Sequence, residues 1–283
     1  IPIKTFSYYN HTMPELREVG TTTRGLQKEI VGLKIKDGWT GFNSKDTRQT
    51  DAVKNAKYFP YFKKEVSGKK ILSAKRRAKN ILINLSPNKT ILIHMKMTGH
   101  LLYGKYIYNK KENKWTPEHK DKKHPLHDPY NRFVHVVFIL SNGKHLAFCD
   151  SRKFGKITLL DTKTMNETKH LAGIGPEPLD EDFTLEKFKQ RLYAGKEKRI
   201  KNVLMDPSII AGIGNIYSDE ILWRIGVKPE RKASEIKNEE IKLMYKAMKE
   251  ALVKGIDFGG DSMSDYRNIY GMRGEFQLHH DAY

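Results

Sequence analysis

The chain has a single cysteine, Cys149, in 283 residues. No internal disulfide can form, and a cysteine-rich zinc site is excluded within these residues. Long apolar runs are missing too, and none reaches the length that spans a bilayer. The first dozen residues, IPIKTFSYYNHT, lack the apolar core of a signal peptide, so the expectation is an intracellular protein without a membrane partner. Acidic residues are few beside basic ones, 33 against 52, which leaves a formal net charge of +19. Such an excess repels itself in the folded state and marks a polyanionic partner. The lysines are spread along the chain and not gathered on one amphipathic helix, which favours nucleic acid over a membrane surface. With 38% hydrophobic and 10% aromatic residues, the chain is a folded protein, not a basic tail. Its length suits two domains.

The two halves differ in pattern. PELREVGTTTRGLQKEIVGLKI places apolar residues at Leu16, Val19, Leu26 and Ile30, the spacing of one amphipathic helix ending near Gly32. Strand-like runs follow: KKILSA, KNILINL, KTILIHMKM, HLLYGKYIY, FVHVVFIL, KHLAFCD and GKITLL. Turn signals such as Ser86-Pro87-Asn88 and Ser141-Asn142-Gly143 join several of them, as in a β-sandwich or barrel. The polar stretch 109–128 reads as a surface loop. Its His119, His124, His127 and Asp128 read as solvated residues, not metal ligands. Beyond Glu167 the pattern turns helical. The expected fold class is α+β in two domains: an extension over 1–12, a helix plus β-sandwich or barrel over 13–166, a hinge over 167–179, and a helical domain over 180–283.

Residues 200–231, IKNVLMDPSIIAGIGNIYSDEILWRIGVKPER, set a Gly-x-Gly-Asn turn, Gly212 to Asn215, before an amphipathic helix. Glycines let backbone N–H groups approach a ligand closely, and a helix N-terminus carries partial positive charge. The pair makes an anion cradle, and in so basic a chain the expected anion is a nucleic-acid phosphate. A plain tight connection between two helices reads the same residues equally well.

Met13-Pro14-Glu15-Leu16 has chemical potential of its own. A start at Met13, with that methionine removed, exposes Pro14 as a secondary amine. An α-amino group titrates near pH ~8, so a useful fraction is nucleophilic. Glu15 beside it can transfer protons. Ordinary first-turn helix positions also suit a proline and a glutamate.

The pieces MPELREV, SAKRRAKNILINL, HMKMTGHL, CDSRKFG, GIGPEPL, the 200–231 segment and GGDSMSDYRNIYGMRGEFQ stand in the order of a formamidopyrimidine-DNA glycosylase. The chain thus resembles the Fpg/Nei family of bifunctional base-excision repair enzymes. That resemblance implies a catalytic β-sandwich followed by a helix-two-turn-helix domain, with damaged or abasic double-stranded DNA as partner and a monomeric state. It implies that Pro14 attacks C1′ of the damaged nucleotide and forms a Schiff base. Glu15 protonates the deoxyribose ring oxygen, Glu18 is a further active-site carboxylate, and Lys79 serves the elimination steps. Lys75, Arg76 and Arg77 lie beside Lys79, so phosphate neutralisation is its other reading. By the same resemblance Met97, Arg152 and Phe154 fill the gap left by the flipped base, while Lys201 and Asn215 contact phosphate. Taken without the family, Met97 and Phe154 read as core residues.

Departures accompany the matches. Arg17 stands where the family has a second proline, and Gly20 where it has a glutamate. The family's four-cysteine zinc finger has no counterpart here, since His279 and His280 cannot replace four thiolates. The expectation is a truncated finger and no cofactor within this chain. The favoured lesions are oxidised purines. A glycosylase for oxidised pyrimidines, a non-catalytic binder of damaged DNA with the same fold, and an RNA-binding helical module are the alternatives.

Overall fold

The structure, a computed structural model, describes residues 14–42, 50–257 and 266–274. The expectations for residues 1–13, for 258–265 and for His279 and His280 lie outside the described residues.

Helix α1 (Leu16–Glu29) buries Leu16, Val19 and Leu26 along one stripe, and Gly32, at φ +88°, turns the chain beyond it. The sandwich follows as β1 (Ile35–Thr40), helix α2 (Tyr58–Val66), β2 (Ile71–Arg77), β3 (Asn80–Leu85), β4 (Lys89–His94) and β5 (Gly99–Gly104). It continues through the short strands β6 (Tyr106–Asn109) and β7 (Lys114–Pro117), then β8 (Val134–Leu140), β9 (His145–Asp150) and β10 (Lys156–Asp161). Two four-stranded antiparallel sheets result, in the orders β1-β8-β9-β5 and β10-β4-β3-β2. Ile81, Ile83, Ile91 and Ile93 from one sheet share a core with Val136, Phe138, Leu146 and Phe148 from the other. Val19 and Leu26 of α1, with Phe62 and Val66 of α2, close that core.

The second domain holds α3 (Leu185–Ala194), α4 (Ile200–Met205), α5 (Asn215–Arg224) and α6 (Asn238–Asp257). They pack around Phe188, Ile210, Tyr217, Met244 and Met248. Between the domains, Gly175 N–H donates to the Pro207 carbonyl at 2.8 Å and Ala211 N–H to the Pro176 carbonyl at 2.9 Å. Glu177 accepts from Arg76, Arg77 and the Ala78 N–H at 2.5, 3.1 and 2.6 Å. The 167–179 segment is therefore hydrogen-bonded to both domains.

The structure differs from the pattern reading at four places. The mixed sequence IKDGWT forms β1, an edge strand that pairs with β8 alone. YFPYFKKEV forms α2, with Pro60 in its first turn, where the missing N–H has no intrahelical partner to lose. HLLYGKYIY divides at Lys105, because β5 pairs with β9 whereas β6 pairs with β7. The stretch 109–128 is more than a solvated loop. Trp115 packs against Trp39 at 6.3 Å between ring centres, and Leu126 is buried.

Helix α1 belongs to both domains. Its Leu16 N–H donates to the Gly212 carbonyl at 3.1 Å. The buried Arg17 guanidinium donates to the Ala251 and Val253 carbonyls near the C-terminal end of α6, and lies 5.0 Å over the Tyr217 ring. The arginine that departs from the family's proline thus ties α1 to the helical domain.

Two glycines of α1 have opposite surroundings. A Cβ on Gly20 would approach only the Arg76 side chain, at 3.9 Å, whereas one on Gly25 would meet Ile269 at 2.7 Å. Gly20→Ala therefore stabilises by about 0.5–1 kcal/mol in urea unfolding. Gly25→Ala lowers stability in the same assay, because the Ile269 side chain must move.

Candidate active site

Glu15 is the residue just before α1, and its side chain turns under the helical domain. Its Oε2 accepts from the Gly214 N–H at 2.7 Å, and its Oε1 from the Ile216 N–H at 3.0 Å. Both donors sit at the first turn of α5, where N–H groups have no intrahelical acceptor. The sequence led us to expect this Gly-x-Gly turn to cradle a phosphate. The anion found there is the protein's own. A Cβ on Gly214 would lie 2.3 Å from the Glu15 carboxyl carbon, so only glycine admits the carboxylate. Gly212, at φ +86°, faces Leu16, which a Cβ would meet at 2.6 Å.

Glu18 lies one turn further along α1. It accepts from the Glu15 N–H at 2.8 Å and from the Tyr217 hydroxyl at 3.4 Å. Pro14 is buried immediately before Glu15. The two carboxylates and the proline therefore lie together at the junction of the domains.

Burial raises the Glu15 carboxyl to about 7. Lys79 pulls it down and the charge of Glu18 pushes it up, while the two backbone donors pull it down as well. Desolvation wins, and near neutral pH about half of these groups carry a proton. That is the form a general acid needs.

Lys79 projects from the tight turn between β2 and β3. It lines an interdomain cavity of about 450 Å³ with His94, Lys96, Lys156, Gly212 and Ile213. Arg76 and Arg77, its neighbours in sequence, are held by Glu177. His94 is pushed down to about 3, first by burial and then by Lys96 and Lys79, so it stays neutral and accepts from the Lys96 N–H at 3.1 Å. Pattern reading passed over His94, Lys96 and Lys156. The first two stand within HMKMTGHL, and Lys156 directly follows CDSRKFG.

Met97 and Arg152 come together from two separate turns. Arg152 Nη1 lies 3.7 Å from the Met97 Sδ. Phe154, on the same turn as Arg152, is 53% exposed, not in the core. A buried clasp joins these turns. The Thr98 hydroxyl donates to Asp150 Oδ1, the Gly155 N–H donates to Asp150 Oδ2 at 2.7 Å, and the Arg152 N–H donates to Thr98 Oγ1 at 3.1 Å. An exposed aromatic on a rigid turn, next to a methionine and a guanidinium, suits a wedge between base pairs. Thr98 and Asp150 were missed because their role is to join two turns far apart in the sequence. Lys201, on α4, pairs with Asp219 at 2.6 Å, and Asn215 is the first residue of α5.

Residues 13–157 match the Formamidopyrimidine-DNA glycosylase N-terminal domain, and residues 174–267 match the Formamidopyrimidine-DNA glycosylase H2TH domain. The chain belongs to the formamidopyrimidine-DNA glycosylase family. A formamidopyrimidine-DNA glycosylase of Pelotomaculum thermopropionicum is 38% identical over 265 residues, which cover 94% of this chain and 86% of the relative. One of Herpetosiphon aurantiacus is 35% identical over 275 residues, 96% of this chain and 88% of the relative. Among solved structures, the Lactococcus lactis Fpg in complex with DNA containing an abasic site matches with a TM-score of 0.75 at 28% identity, covering 94% of this chain and 87% of that one.

The helix-plus-sandwich and H2TH architecture is therefore that of the family, and the chain is a DNA-repair glycosylase that binds DNA. The family's zinc finger does not fit the residues present. Cys149 is buried in β9, donating to the Asn131 carbonyl at 3.2 Å. Among the described residues no group of three or more His, Cys, Asp or Glu side chains could hold a metal ion. His119 and His124 stack on each other at 3.8 Å, and the neighbouring Asp128 pairs with Arg267. No described helix is long and apolar enough to cross a membrane.

Two outcomes follow from the Glu15 geometry. Gly214→Ala displaces the carboxylate and lowers single-turnover base excision roughly 100-fold, with little change in duplex affinity. Base excision should also fall as pH rises through about 7, and Glu15→Gln should remove that limb along with most of the rate. The folded-state value lies above the unfolded one. Stability present below about pH 4.5 is therefore lost as pH rises through about 7.

Proposed function

We propose that this enzyme removes oxidised purines, formamidopyrimidine and 8-oxoguanine, from double-stranded DNA and then cleaves the abasic site through a Schiff base on Pro14. The observation that carries the reading is the buried Glu15 carboxyl, raised to about 7 directly beside Pro14 and held by the Gly214 and Ile216 N–H groups. The Pro14 nitrogen attacks C1′ as the bond to the base breaks, and the base leaves with a proton. Glu15 protonates the ring oxygen, the sugar opens, and the nitrogen–carbon bond becomes an iminium. Lys79, at the edge of the cavity, serves the proton transfers by which the phosphates on either side of the sugar are then eliminated. In a chain that continues upstream of Pro14 that nitrogen is an amide, so the chemistry belongs to the form that begins at Pro14.

Catalysis requires the nucleotide to leave the helix, because C1′ is out of reach while the base is stacked. Met97, Arg152 and Phe154 occupy the gap and offset part of the unstacking cost. Lys201 and Asn215 contact phosphate, and to do so Lys201 exchanges its partner Asp219 for the DNA backbone. The enzyme works as a monomer on one lesion at a time. The domain division is the one drawn from the sequence, with the sandwich to residue 166 and the helical domain from residue 180.

The test is borohydride trapping on a duplex with one 8-oxoguanine, using the full chain and a form beginning at Pro14. A covalent complex from the Pro14 form alone is the expected result. A complex from both forms moves the nucleophile to a lysine. Binding without trapping or strand cleavage by either form overturns the enzymatic reading.

A further inference from the structure

The hairpin β6–β7 covers the outer face of the β1-β8-β9-β5 sheet over a small core of Leu102, Tyr106, Val137, Ala147 and Cys149. Beside that core, Trp39, Tyr108 and Trp115 form an aromatic cluster, with ring centres 5.1 to 6.3 Å apart. A groove of about 840 Å³ runs alongside, lined by Trp39, Trp115, Lys114, Lys122, Arg132 and His135 among others. None of these residues takes part in the chemistry above.

Two features of the groove point to a ligand. Trp115 Nε1 and His135 Nε2 are both buried without a hydrogen-bond partner among the described residues, and both residues line it. Polar atoms buried in this way are costly unless something accepts from or donates to them. The charge balance is also one-sided. The lining carries Lys114, Lys122 and Arg132 against Glu112 and Asp128, and Asp128 is neutralised by Arg267 at 3.0 Å. The ligand that fits is anionic, has flat π faces, and has hydrogen-bonding groups at ring edges.

The position of the groove narrows the choice. The Asp150 N–H donates to the Phe133 carbonyl at 3.0 Å, and the His135 ring stacks on Phe42 at 4.7 Å. Lys54 lies 5.7 Å over Phe42 and donates to the Lys153 carbonyl. The His135 end of the groove thus abuts the turn that carries Arg152 and Phe154. A duplex held at that turn would lie beside the His135 end of the groove. Paired bases present no open π face, whereas unpaired ones do.

We propose that this groove is a second nucleic-acid site, which takes unpaired nucleotides continuous with the bound duplex by stacking on Trp39 and Trp115. The proposal rests on the duplex-binding reading of the Arg152 and Phe154 turn. It gives the enzyme a preference for damage close to a junction between double-stranded and single-stranded DNA.

The experiment compares two DNAs of equal total length by fluorescence anisotropy. Both contain an abasic-site analogue. One is fully paired, and the other ends in an unpaired tail of about eight nucleotides, placed in turn on either strand. The full chain should bind one tailed duplex roughly tenfold more tightly than the blunt one. Tryptophan emission should be quenched by that tail in a Trp223→Phe background, which removes the exposed tryptophan of α5. The variant K114E/K122E/R132E alters only side chains at the groove. In it the ratio of tailed to blunt affinity should fall to about one, whatever the change in affinity for the blunt duplex. Trp115→Ala should lose the gain from the tail too, with the charge variant as the control for a hairpin that fails to fold. Equal affinity for blunt and tailed DNA, or a gain that survives the charge variant, overturns the groove and leaves the glycosylase reading intact. Failure to bind the blunt abasic duplex at all overturns the duplex reading instead.

Discussion

A carboxylate held under the first turn of a helix governs the rest of this molecule. The Glu15 oxygens take the Gly214 and Ile216 N–H groups, and nothing larger than glycine fits at position 214. The same few residues also set how the two domains meet. Leu16 bonds to Gly212, and Arg17 reaches the carbonyls near the end of α6. Domain orientation and acid placement are therefore one set of contacts, and a shift in either would be felt in the other.

The electrostatics of the site are a contest. A chain with a formal charge of +19 surrounds its acid with cations, and cations favour the ionised form. Lys79 acts in that direction and so do the backbone donors, yet burial prevails, helped by the charge on Glu18. Other cations close to the cleft are already engaged. Arg76 and Arg77 are held by Glu177, and Lys201 by Asp219. Lys79 and Lys96 line the cavity itself and are well placed for a ligand there, while Lys156, on the same lining, pairs with Asp51 at 3.1 Å.

Much of this was legible in the sequence, for identifiable reasons. The apolar runs KNILINL and KTILIHMKM gave β3 and β4 because strands buried in a core need little more than hydrophobic continuity. The Gly-x-Gly-Asn turn was recognisable as an anion cradle because its chemistry is local. Its occupant was not recognisable, since Glu15 lies 199 residues away in the chain from Gly214. The β1 edge strand, rich in polar residues and glycine, has no periodic signature. The hairpin over the outer sheet face was hidden in lysine-rich sequence, where one tryptophan against another decides the packing. Asp150 and Thr98 could not be singled out either, because their importance lies in which turns they join.

That separation of 199 residues between Glu15 and its donor also has a bearing on biosynthesis. The sandwich lies nearer the amino end, and its strands can pair as the chain leaves the ribosome. Until α5 has been made, Glu15 has no backbone donors and no domain to bury it. A prematurely released chain would then carry an ordinary, ionised glutamate at neutral pH. A protonated Glu15 carboxyl is thereby withheld from fragments, since it is retained only once both domains have closed around it.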